Sequence, residues 1–330
     1  MADSRGDLVT EADMQEARQV VTSHPLCVRT PLLQLVHDMF PQLAGHNLKL
    51  YLKLENMQTT GSFKIRGVVN QMKHLQAQLA SDKIPITMSA GNYGKAFATY
   101  LHQQGVPGKC MIPNTAPQSR VHLIQSLGVS VEQMPTAELQ TAVDNYTKDG
   151  SHVYCHPFDD IHLIAGYASV AMEILEEVPD PDIVLVCCGG GGLVSGVSAA
   201  IKTLGPSACR VYAVEPEGVP CMSESFKLGK AVSRPVNTVA TGLGPPFAGQ
   251  LTYRHCSEFV ERVLLVSDVE IVQCTELLYK RGLVVEPSGA AAMAALLNGK
   301  VPDIDGKKVI VVITGGNVTP GELISLINRS

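Results

Sequence analysis

The sequence has no CxxC pair, and its cysteines are odd in number, nine in 330 residues. A disulfide framework uses cysteines in pairs, and a structural zinc site uses closely spaced cysteine and histidine ligands. Because neither pattern is present, we expect a cytoplasmic location, with most cysteines buried as small hydrophobic residues. His152 and His156 are four residues apart, but they fall in an expected strand and lack a partner acid, which argues against a metal site there.

Long hydrophobic runs and an excess of positive charge are also missing. Apolar runs such as residues 183–188 are far shorter than the ~20 residues of a membrane-spanning helix. The polar N-terminal segment lacks the apolar core of a signal peptide. The net charge of -5 gives no electrostatic basis for binding nucleic acid or an anionic membrane. We therefore expect a small-molecule ligand, with no nucleic-acid and no membrane partner.

What the sequence does contain is an alternation of short β-rich segments with helical ones. The β-rich segments are residues 49–54, 86–89, 109–113, 183–188, 210–214 and 309–313. The helical patterns are residues 11–22, 64–79, 93–104 and 120–127, and a later helix that begins with a Ser267–Glu270 capping box and ends near Gly282. This alternation indicates βαβ units and an α/β fold with mostly parallel sheets.

The segment TTGSFKIRG, residues 59–67, places Lys64 at a predicted helix start. Gly61 permits a close backbone approach, Ser62 belongs to the residue types that cap helices, and Phe63 offers an aromatic face. An amine held against an apolar surface loses its proton more easily, which is the condition for a lysine that attacks a carbonyl. Taken alone, the segment leaves open an ordinary surface lysine.

A run of four glycines lies between a buried strand and a helix in IVLVCCGGGGLVSG, residues 183–196. Such a turn can direct several backbone N–H groups and the positive end of the helix at a phosphate. A Rossmann dinucleotide site is the competing interpretation, since Glu215 ends the next strand. No G-x-G-x-x-G register exists, because Leu193 and Val194 interrupt it, and no P-loop lysine follows. The run therefore predicts a site for a single phosphate.

A lysine suited to a carbonyl and a turn suited to one phosphate are together what pyridoxal 5'-phosphate requires, because this cofactor carries an aldehyde and a phosphate. At this point the sequence resembles the fold type II pyridoxal-phosphate enzymes, and within them the serine/threonine dehydratase and serine racemase group. The resemblance covers nearly the whole chain. The motifs that carry it are SFKIRG (62–67), SAGNYG (89–94), GGGG (189–192), EPSG (286–289) and TGGN (314–317).

The resemblance implies a role for each cofactor-binding position. Lys64 is the lysine that binds the cofactor aldehyde and moves the proton at the substrate Cα, and Phe63 packs near the ring. Asn92 bonds the phenolic oxygen, and Thr314 faces the pyridine nitrogen. A hydroxyl there does not hold that nitrogen protonated, which favours loss of a β leaving group over a long-lived carbanion. The phosphate-binding residues are Gly189, Gly190, Gly191, Gly192 and Leu193.

The resemblance also implies the substrate-binding residues, which are Ser89, Ala90, Gly91, Asn92, Tyr93 and Gly242. Racemases of this group carry a serine at the position of Ala90 as a second acid/base. Because a methyl group cannot donate a proton, the resemblance implies an L-serine/L-threonine dehydratase (ammonia-lyase) that forms a 2-keto acid and ammonia. A serine or other amino acid racemase is the alternative, with Tyr93 as its second proton donor. A further alternative is a catalytically weak protein that binds pyridoxal phosphate.

The fold implied by the resemblance is tryptophan synthase β-like, with two open twisted sheets. Residues 1–77 and 164–330 are expected to form the large domain and residues 78–163 the small domain, and relatives commonly form homodimers. A structural mono- or divalent cation is implied, with Glu215 and the Val219 carbonyl as ligands. Cys221 replaces the acid of the racemases, which weakens the site for a hard cation.

Overall fold

The computed structural model of the protein describes residues 8–35 and 40–328. The polar leader expected from the sequence falls partly on residues 1–7, outside the described residues. The strands, in chain order, are β1 (Leu32–Leu35), β2 (Lys49–Leu54), β3 (Ile84–Met88), β4 (Lys109–Pro113), β5 (Ser130–Met134), β6 (His152–Tyr154), β7 (Ile183–Cys187), β8 (Arg210–Pro216), β9 (Arg262–Val266) and β10 (Lys308–Ile313). The α-helices are α1 (Glu11–Ser23), α2 (Lys64–Leu79), α3 (Asn92–Gln104), α4 (Gln118–Ser126), α5 (Leu139–Lys148), α6 (Ile161–Glu177), α7 (Gly192–Leu204), α8 (Cys221–Leu228), α9 (Gln250–Phe259), α10 (Asp268–Lys280), α11 (Pro287–Leu297) and α12 (Pro320–Ile327).

The strands form two sheets. The larger has the order β1-β2-β10-β7-β8-β9, and the smaller has the order β5-β4-β3-β6. Every strand pair is parallel except β1 with β2. The predicted fold class is confirmed. All strands of the smaller sheet lie between β2 and β7 in the chain, whereas the domain boundaries after residues 77 and 163 stay a prediction.

Both faces of the larger sheet are covered by helices, which explains the continuous hydrophobic runs of its central strands. Ile310 and Val312 of β10 pack into the core that contains residues of α2, α6 and α7. Val309 and Val311, on the opposite face, pack into the core that contains residues of α10 and α11. All five residues of β7 are buried.

The elements with strong local signals agree with the sequence prediction. β2, β4 and α2 have the predicted bounds, and Ser267 and Glu270 form the capping box at the start of α10. One expectation was wrong: β6 ends at Tyr154, so His156 lies in the loop that follows and not in a strand. The sequence did not predict β1, β5, β9, α5, α6, α8, α9 and α11.

The expected absence of a membrane span and of disulfides can be compared with the described residues. No helix within residues 8–35 and 40–328 combines the length and hydrophobicity needed to cross a bilayer. The nine cysteines are all free, and all except Cys27 are buried. The cysteines thus behave as small core residues.

A cluster of buried charges anchors the start of α2 to β2 and α6. The Arg66 guanidinium forms ion pairs with Glu55 (2.8 Å) and Glu173 (2.7 Å). Lys53 pairs with Glu173 at 2.6 Å, and the four side chains are at most 4% exposed. The cluster has two positive and two negative groups, so its charges balance. It joins β2 and the segment after it to α2 and α6, two residues from Lys64.

Replacing Arg66 tests how much this cluster contributes to stability. Arg66→Met should lower the free energy of unfolding by about 3–5 kcal/mol, because it leaves Glu55 buried without its ion-pair partner. The matched control is Arg29→Met, whose side chain is 48% exposed and pairs with the exposed Glu177; it should cost less than about 1 kcal/mol. Urea denaturation of both variants measures the difference. Equal losses of unfolding free energy in the two variants would show that the buried cluster stabilises the fold no more than an exposed ion pair does.

Candidate active site

A cavity of about 1000 Å³ is lined by loops from both sheets. The loops that line it follow β3 and β6 of the smaller sheet and β7 and β10 of the larger one. These loops all leave the carboxyl ends of parallel strands, which is where α/β folds place their ligands. The cavity is therefore the candidate active site.

Lys64 begins α2 and lines this cavity. Its Nζ donates a hydrogen bond to the carbonyl of Pro157 at 2.9 Å. The same nitrogen lies 5.1, 5.7 and 5.8 Å from the ring centroids of Phe63, Tyr93 and Tyr167. Removal from water lowers the pKa of Lys64 to about 7. The amine is thus available as a nucleophile near neutral pH, as the sequence predicts.

The segment before Lys64 is positioned differently from the sequence interpretation. Ser62 does not cap α2: the N-cap residue is Phe63, and among the described residues the buried Ser62 hydroxyl has no hydrogen-bond partner. Gly61 has a φ of +75°, and a Cβ there would lie 2.4 Å from Oδ1 of Asn317. The close approach expected of Gly61 is therefore real, and its neighbour is the last residue of the TGGN motif.

The four glycines lie where β7 passes into α7. Gly191 has a φ of +96°, and a Cβ at Gly190 would lie 2.3 Å from the ring of Phe158. Side chains are therefore excluded from both positions. Gly192 and Leu193 form the first turn of α7, whose backbone N–H groups have no partner within the helix. Because this turn lines the same cavity as Lys64, the residues fit a ligand that carries both a phosphate and a carbonyl.

Thr314 stands directly after β10 and is 4% exposed. Its hydroxyl hydrogen-bonds the Cys187 thiol, which also accepts from the backbone N–H of Ala292 at 3.3 Å. Burial raises the pKa of Cys187 to about 12, so the thiol is neutral at physiological pH. Both side chains line the cavity and carry no charge. The role of Thr314 toward a pyridine nitrogen stays a prediction, and Cys187 is a neighbour that the sequence did not indicate.

Asn92 belongs to a chain of hydrogen-bonded polar side chains, and its partners Glu286 and Asn317 also line the cavity. Its Nδ2 donates to Oε1 of Glu286, and its Oδ1 accepts from Nδ2 of Asn317 at 2.7 Å. Asn317 in turn accepts from Nζ of Lys95 at 2.7 Å. Burial raises the pKa of Glu286 to about 7. These bonds fix the orientation of the Asn92 amide at the start of α3.

The predicted substrate loop lies between β3 and α3. Ser89, Ala90 and Gly91 all line the cavity, and the backbone N–H of Gly91 donates to the Ser89 hydroxyl at 3.3 Å. The Tyr93 hydroxyl donates to Oε1 of Gln71, and burial raises the pKa of this phenol well above its usual value. Tyr93 therefore presents its ring to the cavity, while its hydroxyl is already bonded and is a weak acid.

Gly242 lines the cavity from the larger sheet, in a short helical turn that spans Thr241–Leu243. Its backbone N–H donates to the Ser288 hydroxyl at 2.8 Å. A Cβ at this position would also lie 2.8 Å from the same oxygen, so the loop can approach α11 only without a side chain. Ser288 belongs to the EPSG motif, and this contact explains why the two segments meet.

Glu215 and Val219, the predicted cation ligands, lie away from the cavity. The Glu215 carboxylate is buried and accepts the backbone N–H groups of Met222 (2.7 Å) and Ser223 (2.8 Å). The Val219 carbonyl accepts the N–H of Cys221 at 2.9 Å. Burial raises the pKa of Glu215 to about 8. Within the described ranges, no group of three or more His, Cys, Asp or Glu side chains could hold a metal ion.

Most of the predicted site residues line one cavity. The residues brought together are Phe63, Lys64, Ser89, Ala90, Gly91, Asn92, Tyr93, Gly189, Gly190, Gly191, Gly192, Leu193, Gly242 and Thr314. The sequence interpretation gave no role to Glu286, although EPSG marks a glutamate at a helix start. It considered His156 only as a metal ligand, yet this residue also lines the cavity.

Comparison with known proteins agrees with this geometry. Residues 25–315 match the family described as "Pyridoxal-phosphate dependent enzyme". The chain is 34% identical to L-threonine ammonia-lyase of Thermotoga maritima over 98% of this chain and 79% of that one. The crystal structure of serine racemase from Dictyostelium discoideum is 32% identical, with a TM-score of 0.83 over 94% of this chain and 99% of that one.

A threonine deaminase structure from Solanum lycopersicum is 28% identical, with a TM-score of 0.86 over 98% of this chain and 95% of that one. The family match, the relatives and the cavity built around Lys64 and the glycine turn all agree. The chain belongs to the family of pyridoxal-phosphate dependent enzymes, with the type II fold.

Proposed function

We propose that this protein is a pyridoxal-phosphate-dependent L-serine/L-threonine dehydratase, an ammonia-lyase that eliminates water to give a 2-keto acid and ammonia. The observation that carries the proposal is the desolvated Lys64 amine in a cavity whose substrate loop has Ala90 where a second proton donor would be needed. The resemblance to a threonine ammonia-lyase over 98% of the chain supports the same activity.

The cofactor-binding roles follow from the chemistry of each group. Lys64 binds the aldehyde, Phe63 packs beside the ring, and the amides from Gly189 to Leu193 bind the phosphate. Asn92, held by Glu286 and Asn317, donates to the phenolic oxygen. The Thr314 hydroxyl meets the pyridine nitrogen without protonating it. When bound, the cofactor supplies an electron sink for the bonds broken at the substrate Cα.

The remaining residues bind the substrate and move its proton. The backbone amides of the loop from Ser89 to Asn92, at the start of α3, bind the substrate carboxylate. Lys64 Nζ removes the proton from the substrate Cα, the β-hydroxyl leaves with the electrons of its C–O bond, and the proton taken by Lys64 passes to it so that water is released. The unsaturated amino acid that results hydrolyses to the 2-keto acid and ammonia.

A serine racemase is the second candidate, since a serine racemase is among the similar structures. Racemisation needs an acid on the face of Cα opposite Lys64. Ala90 has no proton to donate, and the Tyr93 hydroxyl is bonded to Gln71 and has a raised pKa. These two residues favour elimination. A protein that binds the cofactor with little turnover is the third candidate, and the retained Lys64 argues against it.

Elimination and racemisation are distinguished by measuring the keto acid and the opposite enantiomer in the same reaction. Wild-type protein incubated with L-serine or L-threonine should release keto acid and ammonia, with little D-amino acid. Ala90→Ser adds a donor and should raise the ratio of racemisation to elimination on the order of 10²-fold. Ala90→Val adds bulk without a donor and serves as the control. Abundant D-amino acid from the wild type would instead assign a racemase.

We further propose that a monovalent cation binds beside Glu215 and stabilises the segment that leads into α8. The support is electrostatic: Glu215 is fully buried and no described cationic side chain pairs with it, so without a cation the group favours its protonated form, and a bound cation would take the place of that proton. A single carboxylate with carbonyl oxygens such as that of Val219 suits a hard cation of low charge, and Cys221 adds no oxygen ligand.

Thermal unfolding tests this cation. Potassium should raise the melting temperature relative to tetramethylammonium at equal ionic strength, because an ion that binds the folded state stabilises it, by about 2.7 kcal/mol at a hundred times its Kd. Glu215→Gln should abolish the difference, whereas Glu217→Gln, which changes an exposed neighbour, should preserve it. Equal melting temperatures in both salts for the wild type would refute the cation.

We also propose that the protein is cytoplasmic, which the nine free cysteines support, and that it forms a homodimer. Met57 and Val284 are 56% and 48% exposed. Their segments are joined by the hydrogen bond from Asn56 Nδ2 to the Val284 carbonyl at 3.1 Å. We assign these two neighbouring apolar side chains to the interface of the proposed homodimer.

Sedimentation tests the homodimer. The wild type should sediment as a dimer, and Met57→Asp should shift it toward the monomer, because a carboxylate is costly to bury in an apolar interface. Val269→Asp, on α10 with 62% of its surface exposed, is the matched control and should leave the dimer intact. A wild type that is monomeric at micromolar concentration would contradict the assembly.

A further inference from the structure

His156 lines the cavity from the loop that follows β6. The carbonyl of the next residue, Pro157, accepts the hydrogen bond from Lys64 Nζ. The carbonyl of His156 itself accepts from Nε2 of Gln71 at 3.2 Å, and Gln71 accepts from the Tyr93 hydroxyl. The backbone of His156 is therefore fixed relative to the lysine and to the substrate loop.

The hydrogen bonds of the imidazole determine which nitrogen carries the proton. Nδ1 accepts the backbone N–H of Asp159 at 2.9 Å and that of Phe158 at 3.3 Å. An Nδ1 that accepts has no hydrogen, so in the neutral ring the hydrogen is on Nε2. No residue within the described ranges accepts a hydrogen bond from Nε2. His156 thus has a donor that no described residue uses, on a ring that lines the cavity.

The surroundings of the ring keep it neutral. The rings of Tyr154, Phe158 and Phe247 lie 5.4, 4.6 and 6.4 Å from it, centroid to centroid, in edge-on arrangements. Burial lowers the pKa of His156 to about 4, and the charge of Lys64 also lowers it. The charges of Asp159 and Asp160 raise this pKa, but burial has the larger effect. At neutral pH the side chain can donate a hydrogen bond, but it has no spare proton to transfer.

The proposed chemistry leaves one polar group of the substrate without a partner. The amides of the substrate loop bind the substrate carboxylate, and the glycine turn binds the phosphate of the cofactor. Lys64 lies at the substrate amino group and Cα. The β-hydroxyl remains. Two cavity-lining side chains at the end of β6 and in the loop after it have an unused donor, His156 at Nε2 and Tyr154 at its buried hydroxyl. His156 is the one next to Pro157, whose carbonyl bonds Lys64 Nζ. A hydroxyl in this cavity needs a hydrogen-bond partner, and His156 Nε2 supplies one.

We propose that His156 is a specificity-determining residue that donates from Nε2–H to the β-hydroxyl oxygen of the substrate. This inference rests on the proposed dehydratase function and makes it narrower: the enzyme selects amino acids with a β-oxygen. The hydrogen bond holds the C–O bond in position for elimination. The oxygen leaves with the electron pair of that bond and takes up the proton that Lys64 removed from Cα, so His156 stays neutral before and after the step.

The test measures the elimination of two different leaving groups by two variants. Each variant preserves the hydrogen-bonding function of only one of the two ring nitrogens. In His156→Asn, the side-chain oxygen can replace Nδ1 as acceptor for the two backbone amides, but no donor reaches the Nε2 position. In His156→Gln, the side-chain nitrogen reaches that position as a donor. The substrates are L-serine, whose hydroxyl accepts a hydrogen bond, and β-chloro-L-alanine, whose chloride is a weak acceptor and a good leaving group.

We expect His156→Asn to lower kcat/KM for L-serine about tenfold, in proportion to one lost hydrogen bond, and to change that for β-chloro-L-alanine less than threefold. His156→Gln should recover much of the serine activity. Cofactor affinity, measured from the absorption band of bound pyridoxal phosphate, should be unchanged in both variants.

Equal losses for both substrates would overturn the inference and assign His156 to supporting the loop. A loss of cofactor affinity would overturn it in favour of a contact between Nε2 and the cofactor phosphate. If the wild type eliminates neither substrate, the proposed dehydratase function itself fails. That outcome is distinct, because it does not depend on any change at His156.

Discussion

The removal of the Lys64 amine from water is the physical constraint on which the site depends. Nζ donates to the Pro157 carbonyl and lies among the rings of Phe63, Tyr93 and Tyr167. A lysine in such surroundings favours its neutral form. Two residues further along, the buried ion pairs of Arg66 with Glu55 and Glu173 hold the first turn of α2 in place.

The two sheets supply different parts of the chemistry. The larger sheet provides Lys64, the glycine turn and Thr314, which are the groups suited to a cofactor. The smaller sheet provides the loop from Ser89 to Gly91 and the loop that contains His156. Since both sets line one cavity, a substrate bound by the smaller sheet meets the reactive amine of the larger one. The polar chain from Asn92 to Glu286 joins the two halves across this cavity.

The sequence predicted what local patterns determine. β2, β4 and α2 have their predicted bounds because their hydrophobic periods are clear, and the α10 capping box depends on two residues three apart. β1 was missed because it is a short edge strand with two exposed residues, and α11 because it is buried on every side and shows no helical period. Ser62 was misjudged since Phe63 already has helical dihedral angles and takes the N-cap position.

The parts of the site that sequence reasoning missed depend on contacts between distant residues. Glu286 bonds Asn92, 194 residues away, and Arg66 pairs with Glu173 across 107 residues. The spacing of residues within a short segment of sequence cannot predict such pairs. The tautomer of His156 likewise depends on two backbone amides that only the folded loop brings to Nδ1. The glycine run and the lysine segment were readable because each forms a complete binding element within a few residues.

The most direct test of this account is the rate at which cofactor-free protein takes up pyridoxal phosphate as a function of pH. A neutral amine is required, so the account predicts a rate that rises to a plateau with its midpoint near pH 7, the pKa expected of Lys64. The rate at which pyridoxal phosphate reacts with N-acetyl-lysine, measured over the same pH range, corrects for titration of the cofactor. The pKa of the neighbouring Glu286 carboxyl is also about 7, so its titration would give a midpoint at the same pH. The variant Glu286→Gln removes that carboxyl and should keep the midpoint if Lys64 is its source. A rate that keeps rising toward pH 10 would show an ordinary solvated lysine and contradict the account.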